Sequence, residues 1–174
     1  TISQFISYKA EDIPDVPYLK GTDKKHKAIL QAKSWKTGEV FKLNDVSLPK
    51  VSWVHFDIED NPLTLSGEKH VYLWGFLVPG YTNTDFEYVW TEIEDQDQQG
   101  WVSFLEKVER YRNSLPDVIL ANYSNHESTT IKKYAERYAM EDHETVLWLL
   151  GEDSPLFDMQ KPVTDNLVLP LQGY

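Results

Sequence analysis

Asp57 and Glu59 are the residues of this chain whose types and spacing most directly suggest chemistry. They lie in Val51-Ser52-Trp53-Val54-His55-Phe56-Asp57-Ile58-Glu59-Asp60, where Val54, Phe56 and Ile58 alternate with His55, Asp57 and Glu59. That is the period-two pattern of a strand with two distinct faces. It sets both carboxylates on one face near the strand's C-terminal end, about 6.5–7 Å apart. Carboxylates held so close repel unless a cation, a proton or an arginine lies between them. One reading is therefore a divalent-metal site at the end of a central strand. The other is a strand running out into an acidic loop, Glu59-Asp60-Asn61-Pro62. Two further acids follow strands. Glu127 comes after the apolar Val118-Ile119-Leu120-Ala121 and the polar turn Asn122 to His126, in the first turn of an expected helix. The helix dipole favours a carboxylate there, and such an acid is also an ordinary helix-start residue. Asp158 ends the short apolar run Leu156-Phe157.

The elements that must position these acids can be read in order. Residues 1–19 carry Pro14 and Pro17, show no clear period and are expected to form an extended arm. The basic cluster Lys20 to Lys27 opens a helix through about Trp35, capped by Thr22 or Asp23, with Ala28, Ile29, Ala32 and Trp35 as its apolar stripe. Its lysines read as a solvated face, or as phosphate contacts. After the central strand comes a polar loop, Leu63 to Lys69. His70 to Val78, nearly all apolar, reads as a strand buried on both faces. Pro79-Gly80 reads as a turn, and Asp85 to Trp90 as a third strand, so the first three strands form an antiparallel meander. Asp97 would cap a helix whose face is Trp101, Phe104, Leu105, Val108 and Tyr111. The strand at 118–121 follows, then a helix with Ile131, Tyr134, Ala135 and Tyr138 inward. A short helix from Asp142 to Leu150 comes next, capped by Glu141 or Asp142 and ending at Gly151. The strand closing on Asp158 and an apolar segment, Leu167 to Leu171, complete the chain.

The expected fold is α/β: a mixed five-stranded sheet, its first three strands antiparallel, with helices packed on its faces and later strands joined by right-handed crossovers. Functional groups of such sheets gather at strand ends near the switch in strand order. If the first and fourth strands are neighbours, Glu127 lies across from Asp57 and Glu59. Three carboxylates at one edge make a hard-oxygen site suited to magnesium or manganese.

Composition narrows the alternatives. The 174 residues suffice for one domain with a proper core, and 41% hydrophobic with 26% charged residues is ordinary for a globular chain. Cysteine is absent, which removes disulfides and thiolate metal sites and fits a reducing, cytoplasmic setting. No apolar run has the length of a membrane span, so no membrane partner is expected. The net charge of −11 argues against a simple nucleic-acid binder, though acidic clusters that bind cations invert the local field. No Gly-rich phosphate loop, His-Glu-x-x-His or nucleophile elbow occurs. The aromatic content, which alone would favour a carbohydrate-binding domain, falls mostly on core stripes.

Phe56-Asp57-Ile58-Glu59 with Pro62 just after it, and Asn122-Tyr123-Ser124-Asn125-His126-Glu127 at a strand-to-helix turn, resemble the first two motifs of the ribonuclease H-like, DEDD-type 3'-5' exonuclease superfamily. Within it, the YprB-type domain of predicted RecB-family nucleases is the most similar. Leu30-Gln31-Ala32, Tyr72-Leu73-Trp74-Gly75, the helix entered at Trp101 and the ending Val168 to Tyr174 are similar to that family too. The resemblance covers residues 28–174, leaving 1–27 as an N-terminal arm or the remnant of a preceding region. It implies a two-metal phosphodiesterase acting on DNA or RNA, fused to or associated with helicase or other nuclease domains. One ion would activate a water and the other steady the leaving oxygen, about 4 Å apart. Asp57, Glu59 and Glu127 would then be catalytic metal ligands, with Asp158 as a further ligand and two magnesium or manganese ions as cofactors. Glu127 departs from the pattern, which often has Asp there. The family's third motif, a Tyr or His followed four residues later by Asp, falls beyond Tyr174. A chain opening at Thr1 and ending before that motif is expected to be an excised piece with weak activity or none. The rival expectation is a ribonuclease H-like module that binds nucleic acid or protein without catalysis.

Overall fold

A computed structural model of the protein describes residues 1–62, 64, 67–78 and 86–171. The expected turn at Pro79-Gly80, the start of the third strand at Asp85 and the terminal residues 172–174 lie outside the described residues. In chain order the elements are α1 (Ile2–Phe5), α2 (Thr22–Thr37), β1 (Phe41–Lys42), β2 (Trp53–Asn61), β3 (His70–Leu77), β4 (Glu87–Trp90), α3 (Asp97–Ser114), β5 (Ile119–Asn122), α4 (His126–Arg137), α5 (Glu144–Leu150), β6 (Leu156–Asp158), α6 (Gln160–Asn166) and β7 (Leu167–Val168). Two compact units result, one of residues 49–160 and one of residues 1–48 with 161–174.

The unit of residues 49–160 is built on a five-stranded sheet ordered β4-β3-β2-β5-β6. β2, β3 and β4 form an antiparallel meander, while β5 and β6 join β2 in parallel. β2 is thus where the sheet changes from antiparallel to parallel, and the C-terminal ends of β2, β5 and β6 share one edge. The alternation in β2 decides which face is which: Val54, Phe56 and Ile58 are buried, and His55, Asp57 and Glu59 are exposed. The buried face meets α3, α4 and α5 in one cluster containing Trp74, Phe76, Trp101, Phe104, Val108, Leu120, Ile131, Tyr134 and Leu149. Trp74 stacks on Phe104 with ring centroids 4.3 Å apart, and Phe56 stacks on Phe104 at 5.5 Å. Truncating a ring such as Trp74 would cost about 3–5 kcal/mol, from lost transfer energy and the cavity left behind.

A buried polar knot sits within this unit. Asp97 is expected as a helix cap, but no side-chain cap bond forms at the start of α3. The Asp97 carboxylate is instead buried and accepts from His70 Nδ1 (2.8 Å), Tyr134 OH (2.6 Å), Tyr138 OH (2.6 Å) and Arg137 Nη1 (2.7 Å). Burial alone would raise its pKa, and the bonds from Tyr134, Tyr138, His70 and Arg137 outweigh that and hold it below the ordinary 3.8. Tyr134 OH also accepts from Val71 N at 2.7 Å, so the knot fastens β3, α3 and α4 together.

In the other unit, the first residues include helix α1 and a 3-10 turn at Ala10–Asp12 rather than a wholly extended arm. Helix α2 begins after Gly21 without a side-chain cap and ends on Gly38 at φ 75°. Its buried positions are Lys25, Ile29 and Ser34, whereas Trp35, expected on the apolar stripe, is exposed. Lys25 can be buried because its ammonium meets Asp15 at 2.7 Å. The apolar ending contributes β7, which pairs antiparallel with β1.

Candidate active site at the ends of β2 and β5

Local sequence explains how the acids are presented. Asp57 and Glu59 are carried on the exposed face of β2 because their neighbours fill the core. Among the described residues neither carboxylate has a hydrogen-bond or ion-pair partner. Asp60 differs. A register shift between Glu59 and Asp60 interrupts the alternation, and the Asp60 Oδ2 atom meets Lys69 Nζ at 2.8 Å and His126 Nε2 at 3.2 Å. The second contact ties the start of α4 to the end of β2.

That tie holds the helix carrying Glu127 to the strand carrying Asp57. Glu127 stands in the first turn of α4, as expected, but is only 3% exposed. Burial pushes its carboxyl above the ordinary 4.5 and the charge of Asp57 pushes the same way, against its own backbone N–H, the Asn122 amide and His126, which favour the ionised form. Asn122, the last residue of β5, donates through Nδ2 to Glu127 Oε2 at 3.2 Å and to the Ser124 carbonyl. Its Oδ1 is buried without a partner among the described residues. The turn between them is strained: Ser124 adopts φ 106°, a region that costs a non-glycine residue about 1–3 kcal/mol. Ser124 N donates to Asp158 Oδ1 at 2.9 Å, and Ser124 Oγ accepts from His126 N at 3.2 Å.

Asp158 ends β6 beside Asn122, its register partner on β5. It is exposed, and its Oδ1 also accepts from Gln160 N at 2.8 Å. One oxygen of Asp158 therefore already serves two backbone N–H groups. Asp57 and Glu127 are electrostatically coupled, whereas Asp158 reaches the Glu127 turn through Ser124. Among the described residues no group of three or more His, Asp or Glu side chains is gathered closely enough to hold a metal ion. The donor chemistry nevertheless fits a hard divalent cation. It is all oxygen, Asp57 and Glu59 lack a balancing cation, and an unpartnered amide oxygen is buried beside Glu127.

Sequence reasoning passed over Asn122, His126 and Asp60 in these roles. A signal was present for two of them: Asn122 and His126 flank the polar turn already singled out. Asp60 read as loop because the register shift that turns it inward has no sequence signature.

The family model for the RNase_H superfamily matches residues 54–173. The match takes in β2 through β7, and the chain belongs to this superfamily. No curated protein matches the chain. The superfamily supports nuclease-like chemistry on a nucleic-acid substrate. No helix among the described residues is long and apolar enough to cross a membrane.

Proposed function

We propose that this RNase_H superfamily member is a divalent-metal-dependent nuclease that hydrolyses phosphodiester bonds in DNA or RNA, as a 3'-5' exonuclease of the DEDD type. The observation that carries the reading is the placement, among the described residues, of the exposed, unpaired Asp57 on β2 and of the buried Glu127 just after β5, its parallel neighbour, with the unpartnered Asn122 Oδ1 beside Glu127. Two carboxylates so related, one of them raised by burial and by its neighbour's charge, have a standing deficit of positive charge that a divalent cation would fill. Asp57 and Glu127 would hold the ion, with Glu59 and Asp158 completing the oxygen set for magnesium or manganese. When bound, the ion supplies charge neutralisation and an activated water. The chain's own residues prepare that place. Asn122 holds the Glu127 carboxylate by its amide, the Asp60–His126 contact ties α4 to β2, and the strained Ser124 turn joins β5 to the helix that carries Glu127. Association with helicase or other nuclease domains would deliver the strand end.

The test is a calorimetric titration with magnesium and manganese, paired with nuclease assays on single- and double-stranded DNA and RNA. Ion binding that disappears in Asp57→Asn, with cleavage falling by about a hundredfold or more, is expected. No binding of either ion together with no cleavage overturns the reading. A second reading, a ribonuclease H-like module that binds without catalysis, is favoured by one observation: no three metal-binding side chains converge among the described residues. Nucleic-acid binding that is indifferent to divalent ions would select it.

A further inference from the structure

The face of the sheet that carries Asp57 and Glu59 also carries an exposed aromatic row on its edge strand. In the register across β2, β3 and β4, Asp57 lies opposite Gly75 and Gly75 opposite Tyr88, while Glu59 lies opposite Leu73 and Leu73 opposite Trp90. Residues paired in this way share a face, so Tyr88 and Trp90 stand in the same two rows as the acids. Their neighbours Glu87 and Val89 are less exposed, and Val89 packs against the core. Tyr88 is 58% exposed, Trp90 56% and Phe86 44%, so three large rings stand exposed along one edge strand, and it is a grouped apolar patch rather than a single exposed ring that marks a binding surface.

These rings are ordered against each other. Phe86 and Tyr88 lie nearly parallel, 22° between planes with centroids 6.1 Å apart. Trp90 is braced edge-on by Tyr72 at 5.4 Å. Gly75 is what lets the row reach inward. A Cβ there would meet the Phe86 ring at 2.6 Å and the Asp57 carbonyl oxygen at 3.6 Å, so the Phe86 ring lies on the Gly75 backbone, next to Asp57.

We propose that Phe86, Tyr88 and Trp90 form a stacking subsite that seats unpaired bases of a single-stranded nucleic acid, leading the strand across Gly75 to Asp57. This rests on the nuclease reading above and names the strand form that the site would accept. The chemistry favours bases over phosphates. Among the described residues Asp57 and Glu59 have no cation paired with them on this face, whereas every base offers a π-face to a ring. Paired bases keep their faces inside the duplex, so the subsite discriminates against double strands. The continuity of the rows with the carboxylates favours a strand over a protein segment, which would gain nothing from ending at Asp57 and Glu59.

Fluorescence anisotropy with a labelled oligothymidylate and a blunt duplex, at fixed low salt, tests it in the wild type, Tyr88→Ala, Trp90→Ala, Tyr88→Phe and Asp57→Asn. Each alanine variant is expected to weaken oligothymidylate binding about tenfold, the loss of one base–ring stack. Tyr88→Phe should retain wild-type affinity and duplex binding should be weak throughout. Because the substituted rings are exposed, melting temperatures should be unchanged. Asp57→Asn should keep its oligothymidylate affinity while losing divalent-ion binding, so subsite and metal site fail or succeed separately. Equal oligothymidylate affinity in wild type and both alanine variants overturns the proposal, as does no binding by the wild type. Self-association of the wild type that Trp90→Ala abolishes would also overturn it, by assigning the face to a second copy of the chain.

Discussion

Asn122 donates its amide to Glu127 at 3.2 Å while its own carbonyl oxygen stays buried without a partner among the described residues. An orphaned buried oxygen costs about 1–3 kcal/mol, and here it stands beside a carboxyl already disfavoured in its charged form. The pair therefore stores unmet demand for positive charge or for a proton. Its consequences can be measured.

Glu127→Gln should relieve that demand. The Glu127 carboxyl is held above its ordinary 4.5, so the fold favours the protonated form. The stability this gives is complete below the unfolded-state pKa and is lost as the pH rises through the folded-state value. The glutamine variant should melt at or above the wild-type temperature at pH 7.5, with a flatter pH dependence over the range in which Glu127 titrates. Saturating magnesium or manganese should stabilise the wild type, by about 2.7 kcal/mol at a hundredfold excess over Kd, and so raise its melting point while leaving the variant unmoved. Thermal melts across pH, with and without the ion, check both statements.

Asp57→Asn should lower the Glu127 pKa, because one of the charges raising it is gone. Carbon-13 NMR titration of the side-chain carboxyls reads this directly. An unchanged Glu127 titration would show that the two carboxyls do not face each other.

Asp97→Asn should destabilise the fold by about 3–5 kcal/mol, the cost of breaking a buried ion pair from one side. Its carboxyl is held below 3.8 by four donors. The stability it contributes is present above that value and lost as the pH falls through the lower folded-state pKa. Denaturant unfolding at pH 7 and pH 3 should therefore show a wild-type loss on acidification that the variant largely lacks.

Gly75→Ala and Gly100→Ala should differ although each new methyl has a severe contact. At Gly75 the obstacle is the tip of the exposed Phe86 ring, 2.6 Å away, which can swing aside. Stability should change by less than about 1 kcal/mol. At Gly100 the obstacle is Thr91 Cγ2 at 2.5 Å, on a side chain that is itself buried and donates to the Val71 carbonyl. Overpacking there should cost about 1–3 kcal/mol. Chemical denaturation of both variants separates them.

The five strands of the main sheet and the helices between them were legible because their signals are local: strict alternation at 54–59, the apolar run at 70–77 and the stripe from Trp101 to Tyr111. The neighbouring of β2 and β5, needed to bring Glu127 toward Asp57, entered only as a condition, since strand order is settled by tertiary packing. Asp97 shows the limit most clearly. An acid at a helix start reads as a cap, and nothing local reveals that His70, Tyr134, Arg137 and Tyr138 will converge on it. Lys25 and Ser34, buried on α2 where an apolar stripe was expected, were hidden for the same reason. Their partners, Asp15 and the carbonyls of Glu39 and Val168, lie elsewhere in the chain.

The double pairing of β2 also has a kinetic meaning. His55 meets Leu77 through a local meander, yet meets Ala121 only after β3, β4 and α3 have been bypassed. Contacts of such different sequence separation close at different rates, because the longer loop demands more chain entropy before any contact repays it. The meander presenting Asp57 can assemble early, and the parallel seam that delivers Glu127 comes late. Pairing of the two acids thus follows the meander, and a chain folded only that far would display Asp57 without its counterpart.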